Sequence, residues 1–168
     1  VQGAAGAAAR RALGELREQI DAAADAVREV AHGLSPRILS EQGLGPALEE
    51  LAAGLPVETE VNWAGRTGAG APSPSDGVSE DLYLIASEAI TNAMRHSGCS
   101  RIEVDVAPRD GVVQLTVRDD GAGGAAPTGR GILSMAARAR RLGGTFELVS
   151  PDGGPTTVMV RIPSGGPR

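Results

Sequence analysis

The amino-acid sequence predicts a two-layer α/β sandwich, in which a mixed sheet of about five strands is covered by helices on one face. Two observations support this fold class. Segments with strand-like alternation follow one another along the chain, and segments with helical periodicity separate them. The length of 168 residues allows one ordinary hydrophobic core plus an appendage.

The appendage is an additional helix at the N terminus, predicted over residues 8–34. Its apolar positions are spaced alternately by three and four and form a heptad seam: Leu13, Leu16, Ile20, Ala23, Val27, Val30 and Leu34. So narrow a stripe needs another helix to cover it. We therefore favour a dimerisation or docking helix over one member of an intramolecular hairpin. Pro36 ends this helix, and residues 37–39 are predicted to be a connector.

We place the domain boundary near residues 39–43, with the remnant helix and its connector in residues 1–40 and the main domain in residues 41–168. The main domain begins with a short helix that has Pro46 in its first turn. A second helix is predicted from Ser79, its N-cap, to His96, and a third ends at Gly143-Gly144. The predicted strands cover residues 57–63, 101–106, 112–118, 145–150 and 156–162. Residues 64–77 form a loop rich in Gly, Pro, Ser and Ala.

The composition excludes several classes of function. Lys and Arg number 16 against 21 Asp and Glu, and a net charge of −5 argues against nucleic acid as a partner. Cys99 is the only cysteine, which excludes an intrachain disulfide and a cysteine-rich zinc site. No apolar run approaches the ~20 residues of a membrane span, and the first residues lack the charged leader and apolar core of a signal peptide, so none is expected. The expected compartment is the cytoplasm, and the absence of an initial Met suggests a fragment.

A polar stripe on the helix ending at His96 is the first candidate site. Glu88 and Asn92 lie one turn apart, and Arg95 with His96 lies a further turn on. An acid, a neutral oxygen ligand and a cation in this order suit a metal-bound polyphosphate. From this stretch alone, a solvated polar face is an equally good interpretation.

A glycine-rich loop after the third strand is the second candidate site. Asp119 ends the strand, where its carboxylate can accept a hydrogen bond from an exocyclic amine such as that of adenine. Gly121 and Gly123 allow the backbone to approach a ligand, although turn formation is the more common role of such glycines. Gly129 and Gly131 stand next to a helix N-terminus, which favours phosphate. The loop lacks the Gly-Lys-Ser/Thr sequence of a P-loop.

Over residues 36–163 the sequence resembles the ATP-binding catalytic domain of sensor histidine kinases, in the GHKL ATPase superfamily and its nitrate-sensor-like branch. Residues 88–96 are similar to the N box, residues 119–123 to the first glycine box and residues 129–132 to the second. Leu142-Gly143-Gly144 and the last strand with Thr156 also fit. Asp120 departs from the Asn of many relatives, and Pro155 interrupts the usual run of glycines before Thr156.

The resemblance implies a Bergerat-type ATPase fold and a role for each site residue. Asn92 would be the Mg²⁺ ligand, and Glu88 would orient or deprotonate the phosphate acceptor or a metal-bound water. Arg95 and His96 would meet the phosphates, while Asp119, with Thr156 beside it, would hold the adenine amine. The implied ATP-binding set is Asn92, Arg95, His96, Asp119, Gly121, Gly123, Gly129, Arg130, Gly131, Ile132 and Thr156, with residues 121–131 as the lid.

The resemblance also implies what the intact protein does. The γ-phosphoryl group of ATP would be transferred to a histidine on the dimerisation helices of the parent kinase, which would be a homodimer. A response regulator would then receive the phosphoryl group from this histidine. The Glu-x-His-Asp box that carries this acceptor is absent from the sequence, and His32 is expected to be structural. This chain is therefore expected to bind ATP with Mg²⁺ without autophosphorylation. The alternatives are a serine kinase of the anti-sigma-factor type and a non-catalytic nucleotide-sensing or protein-binding domain.

Overall fold

The computed structural model describes residues 37–63, 76–109 and 111–163. The named elements within these ranges are α1 (Leu44–Ala53), β1 (Glu58–Trp63), α2 (Asp76–His96), β2 (Arg101–Arg109), β3 (Val112–Asp119), α3 (Arg130–Arg141), β4 (Thr145–Val149) and β5 (Thr157–Pro163). The heptad helix predicted over residues 8–34 and residues 64–75 of the predicted loop lie outside the described residues.

The strands form one five-stranded mixed sheet in the order β1-β2-β3-β5-β4. β1 and β2 are parallel because α2 carries the chain back across the sheet between them. The other neighbours are antiparallel, and β5 lies between β3 and β4. The predicted mixed sheet of about five strands is therefore confirmed.

The helices pack on one face of this sheet. The buried side chains of the three central strands alternate with exposed or partly exposed ones, and they include Ile102, Val104, Val113, Leu115, Val117, Val158, Val160 and Ile162. α1 contacts β1, α2 contacts β2 and β3, and α3 contacts β4 and β5. This confirms the predicted two-layer sandwich, and the opposite face of the sheet stays polar.

α2 begins three residues before the predicted N-cap. Ser79 is buried one turn inside the helix, so its predicted role as the N-cap is wrong. The reason is that Val78 already packs in the core at 2% exposure, which extends the buried surface upstream of Ser79. Ser97 follows the helix, and its backbone N–H still donates to the carbonyl of Ala93 at 3.0 Å.

The predicted connector over residues 37–39 is also wrong, because residues 37–42 are helical. Gly43, at φ 87°, separates this helical segment from α1, and its N–H donates to the carbonyl of Leu39. Ile38 and Leu39 pack against the core of the main domain. The domain boundary near residues 39–43 stays a prediction.

α3 ends where the sequence predicts. Gly143 adopts the left-handed conformation at φ 70°, and the N–H of Gly144 donates to the carbonyl of Ala139 at 2.9 Å. The N–H of Gly143 donates to Arg140, which completes a Schellman motif.

Candidate functional site

A cleft of about 870 Å³ lies between α2, the glycine loop, the start of α3 and the adjoining ends of β3 and β5. Its lining includes eleven of the twelve residues predicted from the sequence: Glu88, Asn92, Arg95, His96, Asp119, Gly123, Gly129, Arg130, Gly131, Ile132 and Thr156. The fold thus brings together two motifs that are separated in the sequence. Gly121 is the one predicted residue that does not line the cleft.

The polar stripe of α2 faces this cleft. Glu88, Asn92 and Arg95 are partly buried, and His96 is exposed at the end of the helix. The side chains around them on α2 are mostly buried, including Ala89 at 5% and Ala93 at 4% exposure, and both alanines line the cleft. The stripe is therefore the wall of a cavity and not an open solvated face, which was the alternative interpretation of the sequence.

Asp119 lies at the opposite wall, where β3 ends. Asp119 is only 5% exposed, and its backbone N–H donates to the carbonyl of Thr156 at 3.0 Å. Oδ1 accepts the N–H of Gly121 at 2.8 Å. Oδ2 has no hydrogen-bond partner among the described residues, so a ligand can supply its donor.

The start of α3 lies directly against the stripe. Gly129 is the N-cap of α3 and has no side chain that could cap the helix, and residues 129–132 line the cleft. A Cβ at Gly131 would collide with Oε1 of Glu88 and would lie 3.0 Å from Nδ2 of Asn92. A side chain at position 131 would therefore displace the Glu88 carboxylate, the flexible end of its side chain, from its place beside the start of α3.

Gly121 and Gly123, the first two glycines of the loop, have different structural roles. A Cβ at Gly121 would collide with Ser97, whose carbonyl accepts the N–H of Ala122 at 2.9 Å. Gly121 thus packs the loop against the end of α2 and does not face the cleft. Gly123 does face it, at φ 65°, and a Cβ there would collide with the carbonyl of Pro151 in the β4–β5 turn.

Asp120 holds the loop between α2 and β2. Its Oδ1 accepts the backbone N–H groups of Ser100 at 2.8 Å and Arg101 at 3.0 Å, and Oδ2 accepts the Ser100 hydroxyl at 2.6 Å. These bonds, led by the Ser100 hydroxyl, lower the pKa of Asp120 from 3.8 to about 2. Asp120 therefore has a structural role beside the cleft.

Sequence reasoning missed part of the cleft lining. Val117 and Val158 lie two residues from Asp119 and Thr156, and strand alternation places them on the same face. Strand alternation was therefore sufficient to predict that Val117 and Val158 line the cleft. Ser97 and Ser134 also line the cleft, but their positions depend on how the loop folds against the helices.

The donor groups at the stripe fit a magnesium ion that arrives with a nucleotide. The side-chain amide of Asn92 offers one oxygen ligand, and it lies with the carboxylate of Glu88 beside Gly131 at the start of α3. Mg²⁺ in phosphate sites is typically held by one or two protein oxygens together with phosphates and water. In residues 37–63, 76–109 and 111–163, no group of three or more His, Cys, Asp or Glu side chains is placed to hold a metal ion.

Comparison with known proteins identifies the family. The chain belongs to the histidine kinase-, DNA gyrase B- and HSP90-like ATPases, whose family model matches residues 77–166. It is 30% identical over 162 residues to the sensor histidine kinase MctS of Rhizobium johnstonii, a match that covers 90% of this chain and 34% of MctS. It is 34% identical over 161 residues to the nitrate/nitrite sensor protein NarX of Escherichia coli, covering 90% of this chain and 26% of NarX.

A solved structure supports the same assignment. The crystal structure of the ATP-binding domain of PrrB from Mycobacterium tuberculosis matches with a TM-score of 0.53 and 26% identity, covering 74% of this chain and 92% of that domain. The comparisons confirm the resemblance to the ATP-binding domain of sensor histidine kinases. The chain spans about a third or less of MctS and NarX. Among the described residues, no helix is long and apolar enough to cross a membrane.

Proposed function

We propose that this chain is the ATP-binding catalytic module of a two-component sensor histidine kinase. In the whole protein it transfers the γ-phosphoryl group of ATP to a histidine, from which a response regulator receives it. The observation that carries the proposal is the single cleft shared by the α2 stripe and Asp119. A carboxylate suited to adenine and a polar stripe suited to phosphates form its two walls, as a bound ATP requires.

Each end of the cleft has a distinct task in this proposal. At the base end, Oδ2 of Asp119 accepts the adenine amine, beside Thr156. At the phosphate end, Arg95, His96 and the N–H groups at the start of α3 neutralise the phosphates. Residues 123–131 of the loop cover the nucleotide, and Gly121 anchors the beginning of this lid against Ser97.

The phosphate end also positions the groups that take part in phosphoryl transfer. Asn92 would hold the Mg²⁺, which would neutralise phosphate charge, and the carboxylate of Glu88, one turn earlier, orients or deprotonates the acceptor group. Phosphoryl transfer needs mostly positioning and charge neutralisation, so a stripe of fixed side chains is sufficient for the protein's part. The acceptor histidine lies on dimerisation helices of a homodimeric parent kinase, and the module works in the cytoplasm.

Calorimetry of ATP binding tests the metal assignment. We expect the chain to bind ATP more tightly with Mg²⁺ than without it, and Asn92→Ala to lose most of this difference. Asn62→Ala is the matched control, because Asn62 is exposed on β1, outside the cleft lining. An Asn92→Ala protein with the metal dependence of the wild type would overturn Asn92 as the ligand.

Radiolabel transfer tests the second half of the proposal. The sequence has two histidines, His32 and His96, and neither lies in a Glu-x-His-Asp box. We expect no label on this chain after incubation with γ-labelled ATP and Mg²⁺, even when calorimetry shows binding. Label that is stable to alkali and labile to acid, as a phosphohistidine is, would contradict this expectation.

A further inference from the structure

The glycine loop that follows β3 is tied to two other parts of the fold at Ala122. The backbone N–H of Ala122 donates to the carbonyl of Ser97, the residue after α2, at 2.9 Å. The carbonyl of Ala122 accepts the backbone N–H of Gly153, in the β4–β5 turn of residues 150–156, at 2.8 Å. Backbone N–H groups are the donors in both bonds, so the direction of each bond is fixed. The beginning of the loop is therefore held between α2 and the β4–β5 turn.

The β4–β5 turn also holds the next part of the loop. A Cβ at Gly123 would collide with the backbone carbonyls of Pro151 and Gly154, and neither carbonyl is the end of a flexible side chain. Further along the loop, the N–H of Ala125 donates to Oγ of Ser150 at 3.0 Å. These contacts fix the path of the loop backbone as far as Ala125.

The loop beyond Ala125 lacks such contacts. Residues 126–128 are exposed, and within the described part of the chain they take part in one hydrogen bond, from the N–H of Gly129 to the carbonyl of Ala126 at 3.0 Å. That bond lies within the loop and does not join it to another element. Local opening needs the least free energy where backbone groups are exposed and contacts are few. The loop thus consists of a held part, residues 121–125, and an opening part, residues 126–129.

We propose that the β4–β5 turn is a clamp that keeps the held part in place, so that the lid closes over the nucleotide through the opening part alone. This inference rests on the proposed function, because it concerns how the same cleft retains ATP. Three residues of the held part line the cleft: Gly123, Gly124 and Ala125. The held part is therefore a preformed wall of the ATP site. A preformed wall lowers the cost of ordering the lid on binding, and it slows release of the nucleotide.

Amide hydrogen exchange, followed by NMR residue by residue, tests the division of the loop. In the nucleotide-free chain we expect the N–H groups of Ala122 and Ala125 to exchange at least about tenfold more slowly than those of Ala126 and Thr128, because only the first two are hydrogen-bonded. Mg²⁺ and ATP should then slow exchange at Ala126 and Thr128 and leave it nearly unchanged at Ala122 and Ala125. Fast exchange at Ala122 and Ala125 in the nucleotide-free chain, or equal slowing of all these groups by ATP, would overturn the inference.

Gly153→Ala tests the clamp itself, because Gly153 is the positioning residue that bonds to Ala122. Its φ of 74° disfavours alanine, so the turn must shift and the bond from its N–H to Ala122 is weakened. We expect faster exchange at Ala122 and Ala125. A fluorescent ATP chased by unlabelled ATP should dissociate about 3- to 10-fold faster, the range of one lost hydrogen bond.

Gly111→Ala is the matched control for Gly153→Ala. Gly111 has φ 80° in the turn between β2 and β3, outside the cleft lining. A Cβ at either glycine would meet no atom within 4 Å, so the two substitutions introduce the same backbone strain without a collision. Gly111→Ala should keep the wild-type exchange pattern in the loop and the wild-type dissociation rate.

Ser150→Ala supplies a second variant should Gly153→Ala fail to fold. It removes the acceptor of the Ala125 N–H and leaves the bond between Gly153 and Ala122, so exchange should become faster at Ala125 and stay slow at Ala122. A folded Gly153→Ala with the wild-type dissociation rate, or Ser150→Ala with unchanged exchange at Ala125, would overturn the clamp and leave the proposed function intact. A wild type that binds no ATP would instead refute the proposed function, and the exchange pattern of the nucleotide-free chain would still test the held part.

Discussion

The carboxylate of Asp81 on α2 lies 3.1 Å from Nη1 of Arg138 on α3, and Arg141 contacts the same oxygen. The Asp81 side chain is 7% exposed, whereas those of Arg138 and Arg141 are 34% and 66% exposed. Two cations from one helix thus hold a buried anion of the other. This contact fixes α3 against α2, and the cleft lies at the other ends of the two helices.

Replacement of Asp81 is expected to destabilise the fold. Asp81→Asn removes the charge but preserves the shape of the side chain, so the two arginines lose their anionic partner. We expect the free energy of unfolding to fall by about 1–2 kcal/mol, less than for a fully buried pair because the arginines are partly in water. Urea unfolding followed by fluorescence of Trp63, the single tryptophan, measures this change.

Glu80→Gln provides the control for Asp81→Asn. Glu80 is the preceding residue on α2 and is exposed, so the same loss of one negative charge should change stability by less than about 0.5 kcal/mol. Equal effects of the two substitutions would mean that net charge, and not the contact with α3, determines the result.

Asp81 shows why part of the structure could not be predicted. From the sequence it was an acidic residue in the first turn of a helix, and its partners lie 57 and 60 positions later. Local periodicity gives no information about such a contact. By contrast, Glu88 and Asn92 were predictable because helical spacing alone puts them on one stripe. Asp119 was predictable because it ends a strand just before a glycine loop.

Ser150 and Gly121 illustrate the same limit at the site. The contacts of Ser150 with Ala125 and Thr156, and the contact of Gly121 with Ser97, depend on where one loop lies against another. The periodicity of strands and helices does not determine such contacts. Gly121 was predicted to leave space for a ligand, yet the space it leaves is filled by Ser97. A glycine motif in sequence thus indicates a close approach without identifying the approaching group.

Gly131→Ala is expected to disrupt ATP binding while leaving the fold intact. The new methyl group would collide with Oε1 of Glu88, so the Glu88 carboxylate must move from its place beside Asn92 at the phosphate end of the cleft. We expect ATP affinity to fall by about tenfold, equivalent to ~1.4 kcal/mol. Calorimetry with Mg²⁺ and ATP measures the loss, and circular dichroism monitors the fold.

Gly77→Ala is the matched glycine control. It lies in α2, is exposed, and a Cβ there would meet no atom within 4 Å. We expect unchanged ATP affinity and a stability gain of up to about 1 kcal/mol, since alanine favours the helix over glycine. Unchanged ATP affinity in Gly131→Ala as well would show that the stripe tolerates a side chain there.

Asp119→Asn is expected to weaken ATP binding more than Gly131→Ala does. A neutral amide loses the charge-assisted hydrogen bond to the adenine amine, and one of its two polar atoms is no longer an acceptor. We expect a loss of about 10- to 100-fold in affinity. Asp105→Asn on the exposed face of β2 should bind ATP as the wild type does. Equal affinities of all three proteins would remove Asp119 from the base site.

Asp120 is expected to make stability depend on acid pH. Its pKa is 3.8 ordinarily and about 2 in the folded chain, where the Ser100 hydroxyl and two backbone N–H groups favour the carboxylate. The group therefore binds its proton more readily when unfolded, so its stabilising effect is complete above about pH 4 and is lost as pH falls towards 2. We expect Asp120→Ala to be less stable than the wild type near neutral pH and the difference to shrink between pH 4 and 2. Urea unfolding at a series of pH values measures this, with Asp105→Ala as the exposed control; a difference that stays constant across the series would show that Asp120 acts by packing and not through its charge.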